Sequence, residues 1–192
     1  MRRFIPSPYT VGTAISDPNK FFGRQDLFDK INEFFQDNIK IIVLHGQRRI
    51  GKSSVIAQIP KKLNTDEFVF IDFDFQEKET SSTSEILRLI AIRIIDKIET
   101  NEEFLTHLAE NTNSSSFGEF LSAVYQQLGS KKLVLLWDEF DVLTEKDTEL
   151  YTNSDNFCSY IRQLQEKDQK LFIIPIVGRH ISKLPKLVSS LL

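Results

Sequence analysis

The feature that most constrains the fold is the segment GQRRIGKS, which runs from Gly46 to Ser53 and satisfies the pattern G-x-x-x-x-G-K-[ST]. An apolar, β-branched run (Ile39–Leu44) precedes it, and a segment with helical character follows it up to Pro60. A strand, a glycine-rich turn and a helix in this order direct successive backbone N–H groups and the positive end of a helix dipole into one concavity. This phosphate loop (residues 46–53) is therefore predicted to bind phosphate groups.

Two side chains of the phosphate loop have a predicted chemical role. Lys52 is expected to reach the β- and γ-phosphates of a nucleotide and to act in catalysis, and the Ser53 hydroxyl is expected to ligate Mg²⁺. The competing interpretation is a glycine-rich turn with a solvated lysine. The other positions predicted to contact the nucleotide are Gly46, Gln47, Arg48, Arg49, Ile50, Gly51 and Ser54.

A second chemical element is LVLLWDEFD (Leu133–Asp141), an apolar run that ends in acids. Near-continuous hydrophobicity is typical of a strand buried on both faces of a parallel sheet, and ligands bind at the carboxyl ends of such strands. Asp138 is expected to hold Mg²⁺, directly or through water, and Glu139 to polarise the water that attacks the γ-phosphorus. The alternative is that both acids merely end a strand and begin a polar loop. Asp141 is interpreted as a loop acid.

Composition limits the class of protein. The chain has 192 residues, of which 27% are charged and 41% hydrophobic, as in a soluble globular protein. Its net charge of −3 and its scattered basic residues argue against nucleic acid as the main ligand. A single cysteine excludes an internal disulfide, and we find neither a secretory leader nor an apolar run of the ~18 residues that a membrane span needs. A cytoplasmic protein without a membrane partner is expected.

The chain divides into a proline-rich, extended arm over residues 1–20 and a core over residues 21–192. In the core, Phe21–Phe35 has the apolar spacing of an amphipathic helix, and Phe68–Phe75 and Leu171–Val177 read as strands. Strands thus alternate with helices. This order predicts an α/β fold with a three-layer core, in which a mostly parallel sheet carries helices on both faces.

Capping boxes predict three more helices, each with a Ser or Thr at its start and a Glu three residues later. The pairs are Ser82 with Glu85, Thr100 with Glu103, and Ser116 with Glu119. A further helix is predicted near Asp155–Glu166. These helices fill the connections between successive strands, as parallel pairing requires.

With GQRRIGKS, FFGRQD and LVLLWDEFD identified, the sequence resembles the STAND-like and archaeal-type ATPases of the AAA-related branch of P-loop ATPases. The resemblance covers nearly the whole chain, including the PYTVGTAI arm and the helix that carries Phe157, Tyr160 and Arg162. It implies ATP and Mg²⁺ as cofactors, and a homo-oligomer or an appended effector domain as partner. It also implies that the fourth strand lies between the phosphate-loop strand and the acidic strand. Because only four strands can be counted, we expect this module to be a piece of a longer protein or an unusually minimal core.

The resemblance extends the predicted site. In that family the FFGR segment folds beside the adenine, so Phe22, Gly23 and Arg24 are candidates for the base side of the pocket. The alternative is that Phe21 and Phe22 are simple core anchors. The family's fourth strand usually ends in a small polar residue that senses the γ-phosphate, whereas this one ends in VGRH and offers Arg179. The C-terminal lid of the family is expected to be missing.

The leading hypothesis is an ATP-binding, slowly hydrolysing P-loop ATPase module that acts as a nucleotide-dependent switch coupled to assembly or to an effector. The alternative is a non-catalytic, nucleotide-binding scaffold for protein–protein contacts. A small-molecule kinase would need an arginine-rich lid, and a replication initiator would need a DNA-binding surface; neither is visible. Asp72 and Asp74, at the end of the second strand, are secondary candidates for positioning water or Mg²⁺.

Overall fold

The computed structural model describes residues 14–47, 49–63, 65–78, 80–100, 102–144 and 151–178. Most of the predicted arm, Arg48 and Arg179 lie outside these ranges. The α-helices of the described part are α1 (Gln25–Gln36), α2 (Lys52–Lys62), α3 (Thr83–Ile98), α4 (Glu103–Glu110), α5 (Phe117–Leu128) and α6 (Tyr151–Lys167), and Pro18–Lys20 and Phe140–Thr144 form short 3-10 helices. Its strands are β1 (Leu44–His45), β2 (Phe68–Asp74), β3 (Lys132–Asp138) and β4 (Leu171–Val177).

The four strands form one parallel sheet in the order β1-β4-β3-β2. The predicted α/β class with a parallel sheet is confirmed. So is the predicted position of the fourth strand, between the strand that leads into the phosphate loop and the strand that ends in acids. Both of these strands therefore neighbour β4, and their carboxyl ends meet at one edge of the sheet.

Helices cover both faces of the sheet, and the alternation of side chains along β3 decides which residue faces which layer. Leu133, Leu135 and Trp137 pack into the core that α3, α5 and α6 share. Val134 and Leu136 pack into the other core, with α1 and α2. This confirms the three layers. By the same alternation Asp138, the last residue of β3, belongs to the face that carries α2, the helix that follows the phosphate loop.

The first strand is shorter than predicted. Instead of a continuous strand from residue 39, the structure has an isolated bridge between Ile41 and Ile173 and then β1 itself. Ile173 donates to Lys40 O and accepts from Ile42 N, at 2.8 and 3.0 Å. The next donor toward β1 along β4 would be residue 175. Because that residue is proline and has no N–H, the ladder is interrupted at this point.

Other element ends also differ from prediction. α2 continues through Pro60 to Lys62, since the buried side chain of Ile59 holds the last turn and its carbonyl accepts from Leu63 N at 3.0 Å. The Ser82 hydroxyl caps α3 as predicted, accepting from Glu85 N at 3.2 Å.

The other two capping boxes do not form. Thr100 accepts from Glu102 N and leaves α4 to begin at Glu103, while the Ser116 hydroxyl accepts from Asn113 N, before α5 begins. In both cases the hydroxyl forms a local turn instead of a helix cap, which short polar side chains readily do.

The described end of the arm is fastened to α2. Ile15 N donates to the Ser54 hydroxyl at 2.9 Å, and the Gln58 amide donates to Ile15 O and Ser16 O at 2.8 and 3.0 Å. Lys61 donates to Ser16 O as well. Gln58 is 0% exposed. A buried amide that holds two backbone carbonyls ties the arm to the helix that follows the phosphate loop.

Replacing Gln58 with leucine should loosen this attachment, because leucine fills similar space but cannot donate to either carbonyl. We expect the free energy of unfolding to fall by about 1 kcal/mol and tryptic cleavage after the exposed Lys20 to become several-fold faster. Gln25→Leu is the matched control, since Gln25 is exposed and bonds only Asp29 of its own helix among the hydrogen bonds described here. Equal cleavage rates in both variants would contradict the role of Gln58.

Candidate functional site

The phosphate loop turns sharply between β1 and α2. Gly51 precedes the first residue of α2 and has φ +89°, a left-handed conformation that glycine adopts without strain. Arg49 is also left-handed, with φ +64°. At Gly46 a side chain would meet the Cγ2 atom of Ile50 at 3.2 Å, so the loop closes tightly on itself. The left-handed conformation thus favours glycine at position 51, and a β-carbon at position 46 would require Ile50 to shift by a few tenths of an ångström.

Lys52 folds back over the loop that carries it. Its ammonium group donates to the carbonyls of Gly46 and Gln47, at 3.0 Å each. It also lies against Gly178, the residue that follows β4: a β-carbon at this position would be 2.8 Å from Nζ and 3.0 Å from Cε of Lys52. The lysine therefore sits where the phosphate loop meets the carboxyl end of β4.

The two serines after Lys52 face different surroundings. Ser53 is exposed at the first turn of α2, where a hydroxyl is available to a ligand. Ser54 is buried, and its hydroxyl accepts from Ile15 of the arm. The predicted nucleotide-binding position 54 therefore directs its side chain to the arm.

Asp138 and Glu139 lie at the end of β3, half-buried. Asp138 Oδ1 accepts from the backbone N–H of Glu139 at 3.0 Å. Glu139 has φ +51°, so the chain leaves the sheet here in a left-handed conformation. For a residue other than glycine this costs on the order of 1–3 kcal/mol, and such conformations concentrate at functional sites.

Asp141 is not a loop acid, as the sequence had suggested. It lies in the short 3-10 helix Phe140–Thr144, is 1% exposed, and its Oδ2 accepts from the backbone N–H of Gly178 at 3.1 Å. Its apolar neighbours Phe140 and Val142 are buried too. An acid between two core residues was the sequence signal that could have identified it.

These contacts bring the two predicted chemical elements together. Asp141 and Asp138 belong to one turn, which we call the acidic turn (Asp138–Asp141), and Asp141 binds the residue against which Lys52 lies. Asp138 also shares the sheet face of α2. A serine hydroxyl and a carboxylate are the hard oxygen ligands that suit Mg²⁺, which is commonly held by one or two carboxylates and substrate phosphates. The residues present fit that ion.

The FFGR segment reaches the phosphate loop. Gly23 and Arg24 are both left-handed, with φ +79° and +59°, and form the turn into α1. The Arg24 guanidinium donates to Ile50 O. Phe21 packs edge-to-face on Phe28, with ring centroids 5.9 Å apart, whereas Phe22 is 86% exposed. The core-anchor interpretation is right for Phe21 and wrong for Phe22.

The two acids of β2 differ in their surroundings. Asp74 is exposed and lies in register with Asp138, its partner on the neighbouring strand. Asp72 instead pairs with Arg93 and, at 3.3 Å, with Lys97, both on α3. Burial tends to raise the pKa of the Asp72 carboxyl, but hydrogen bonds and charge from the two cations outweigh this and leave the pKa below its usual range. Asp72 is thus already engaged at the edge of the sheet.

Comparison with known proteins identifies the family. The AAA domain matches residues 36–184, and the chain belongs to this family. AAA domains are P-loop ATPases that bind nucleotide, in agreement with the sheet order and the loop described above. No curated protein matches the chain. In the described part of the chain, none of the helices has the length and apolar character needed to cross a membrane.

The ion pairs of Asp72 should stabilise the fold without serving the site. We expect Asp72→Asn to lower the free energy of unfolding at pH 7. Because the pKa of Asp72 is lowered in the folded state, this stabilisation is present above the unfolded pKa and is lost as pH falls through the folded value. When denaturant unfolding is measured from pH 7 down to about pH 3, the free energies of unfolding of the parent and of Asp72→Asn should therefore approach each other in acid. A difference between the two free energies that stays constant over this range would contradict the role given to the ion pairs.

Proposed function

We propose that this chain is an ATP-binding, slowly hydrolysing, Mg²⁺-dependent ATPase module that works as a nucleotide-dependent switch. The observation that carries the proposal is the contact chain from Lys52 through Gly178 to Asp141, which joins the phosphate loop to the acidic turn. Phosphoryl transfer asks a protein mainly for positioning and charge compensation. A lysine and an acidic pair held at one edge of a parallel sheet supply both.

In this proposal each side chain has one task. Lys52 exchanges its bonds to the loop carbonyls for bonds to the β- and γ-phosphates, and the backbone N–H groups of residues 46–53 bind the same phosphates. Ser53 and Asp138 would hold Mg²⁺, which neutralises charge on the phosphates when bound. Glu139, directly after β3, orients the attacking water and accepts its proton. Its left-handed backbone turns the chain away from the strand at this point.

The base side of the pocket is proposed to include Phe22, Gly23 and Arg24. Arg24 already bonds Ile50 O and so attaches the FFGR turn to the phosphate loop. The ring of Phe22 is exposed and so is accessible to a base. An aromatic ring in this position can stack on a base, because every nucleobase offers a π-face.

The switch role rests on the connection between α2 and the arm. The first turn of α2 would contact the phosphates, while Ser54 and Gln58 on the same helix hold Ile15 and Ser16. The arm (1–20) and the core (21–192) are therefore proposed to respond together to the nucleotide. A homo-oligomer or an effector domain, in the cytoplasm, would read this response, as in the STAND-like and archaeal-type branch to which we assign the chain.

Replacing Glu139 with glutamine should separate binding from turnover. Glutamine preserves shape but cannot accept the proton of water, so we expect phosphate release to fall by roughly 10²–10⁴-fold with ATP affinity unchanged. Phosphate release and ATP affinity are measured on the same protein. Lys52→Ala is the complementary variant and should abolish nucleotide binding. Parental turnover in Glu139→Gln would remove Glu139 from the mechanism.

The same measurements distinguish the scaffold alternative. A scaffold would bind ATP and change its oligomeric mass in size-exclusion chromatography with no phosphate release at all. A switch that hydrolyses ATP slowly should show both the change of mass and turnover below about 1 s⁻¹, the low end of ordinary enzyme rates.

Phe22→Ala should weaken binding of the base and spare binding of the phosphates. Loss of one stacking partner corresponds to about 1–3 kcal/mol, or roughly a 5- to 150-fold weaker affinity for ATP. Affinity for tripolyphosphate, which has no base, should not change. Phe104→Ala is the matched control, since Phe104 on α4 is also an exposed phenylalanine, at 65%. Equal loss for ATP and tripolyphosphate would exclude stacking.

A further inference from the structure

The ladder between β3 and β4 ends before the site. Its last pair is Trp137 with Pro175, because the left-handed Glu139 takes the chain out of the sheet. β4 continues through Ile176 and Val177, which pair only with β1 in the described structure. The acidic turn therefore projects beyond the hydrogen bonds that fix β3 to β4.

The Asp141 carboxylate restores the connection. Backbone groups of a strand alternate between its two neighbours. In β4 the odd residue Ile173 bonds toward β1, while the even residue Lys170, just before β4, accepts from Leu133 of β3. Gly178 is even, so its N–H points to the side from which β3 has departed. Asp141 Oδ2 accepts this N–H at 3.1 Å. A carboxylate thus takes the place of a strand carbonyl.

The position of Gly178 matters because Lys52 lies on it. A β-carbon at residue 178 would come within 2.8 Å of the ammonium nitrogen of Lys52. The backbone of Gly178 therefore forms one wall of the space that the Lys52 side chain occupies. The acidic turn is itself anchored in the core: Phe140 is fully buried and stacks on Trp137, with ring centroids 5.0 Å apart. The hydrogen bond from Gly178 to Asp141 thus joins the anchored acidic turn to the wall of the lysine site.

We propose that Asp141 is a positioning residue that acts through Gly178 to fix the separation between Lys52 and the pair Asp138 and Glu139. The inference rests on the proposed function of those three residues. Lysine alone can bind phosphate, but a metal shared between the phosphates and Asp138 requires both sides of the site at the correct distance. Asp141 therefore controls the gain in ATP affinity that Mg²⁺ provides, and the rate of hydrolysis.

The test compares Asp141→Leu and Asp141→Asn with the parent chain, measuring ATP affinity with and without Mg²⁺ and the rate of phosphate release. In Asp141→Leu we expect the Mg²⁺-dependent gain in affinity and kcat each to fall roughly 10- to 100-fold, as for loss of a charged hydrogen bond. Metal-free affinity should stay within about threefold, near the resolution of such comparisons. Asparagine retains an acceptor but forms a weaker, neutral bond, so its effect should be intermediate.

Several outcomes would overturn the inference. A purely structural Asp141 would change metal-free and metal-dependent affinity in parallel, or would alter only the unfolding midpoint. If Asp141→Leu does not fold, Asp141→Asn decides alone, and an unchanged Mg²⁺-dependent gain contradicts the proposal. Asp72→Asn serves as the acid control and should leave that gain intact. If Lys52→Ala still binds ATP, the proposed function itself fails; if it does not bind and Asp141→Leu matches the parent, only this inference fails.

Discussion

Burial of Trp137 and Phe140 on either side of the two acids is the constraint on which the site depends. Both rings are fully buried and stacked, and Phe75 and Phe157 pack around them, with centroids 5.1 and 6.4 Å from that of Phe140. Between these anchors the chain has two residues in which to reverse direction. It does so with a left-handed Glu139, a conformation that persists only where its surroundings over-determine it. Packing energy in the core thus holds a strained residue at the sheet edge.

The order of the strands is the second feature that determines the geometry of the site. With β4 between β1 and β3, the phosphate loop and the acidic turn approach from opposite sides and meet at Gly178. The two elements are far apart in the sequence, at residues 46–53 and 138–141. A glycine at that point serves both, because its N–H binds Asp141 and its missing side chain leaves space for Lys52. The same architecture places Asp72 at the outer strand, where it pairs with α3.

Much of the fold follows from local patterns. The near-continuous apolar runs of β3 and β4 predicted the parallel sheet, because burial on both faces requires those residue types. The resemblance carried by G-x-x-x-x-G-K-[ST] and the acidic strand end implied the strand order and the AAA-related family. Local patterns were less reliable at element ends. Hydroxyls at Thr100 and Ser116 bond within turns, and Pro175 interrupts the first strand from a distance of many residues along the chain.

The sequence by itself determined that one α/β chain contains a phosphate-binding loop and a strand that ends in acids. It could do so because periodicity and motif spacing are properties of neighbouring residues. Only the tertiary structure decided that Asp141 is buried on Gly178, that Gln58 holds the arm, and that Phe22 is exposed while Phe21 is packed. The first two outcomes depend on which backbone groups remain unpaired where distant segments meet, and the third depends on which ring packs against α1. A local pattern can mark Asp141 as buried among core residues, but it does not encode the distant partners.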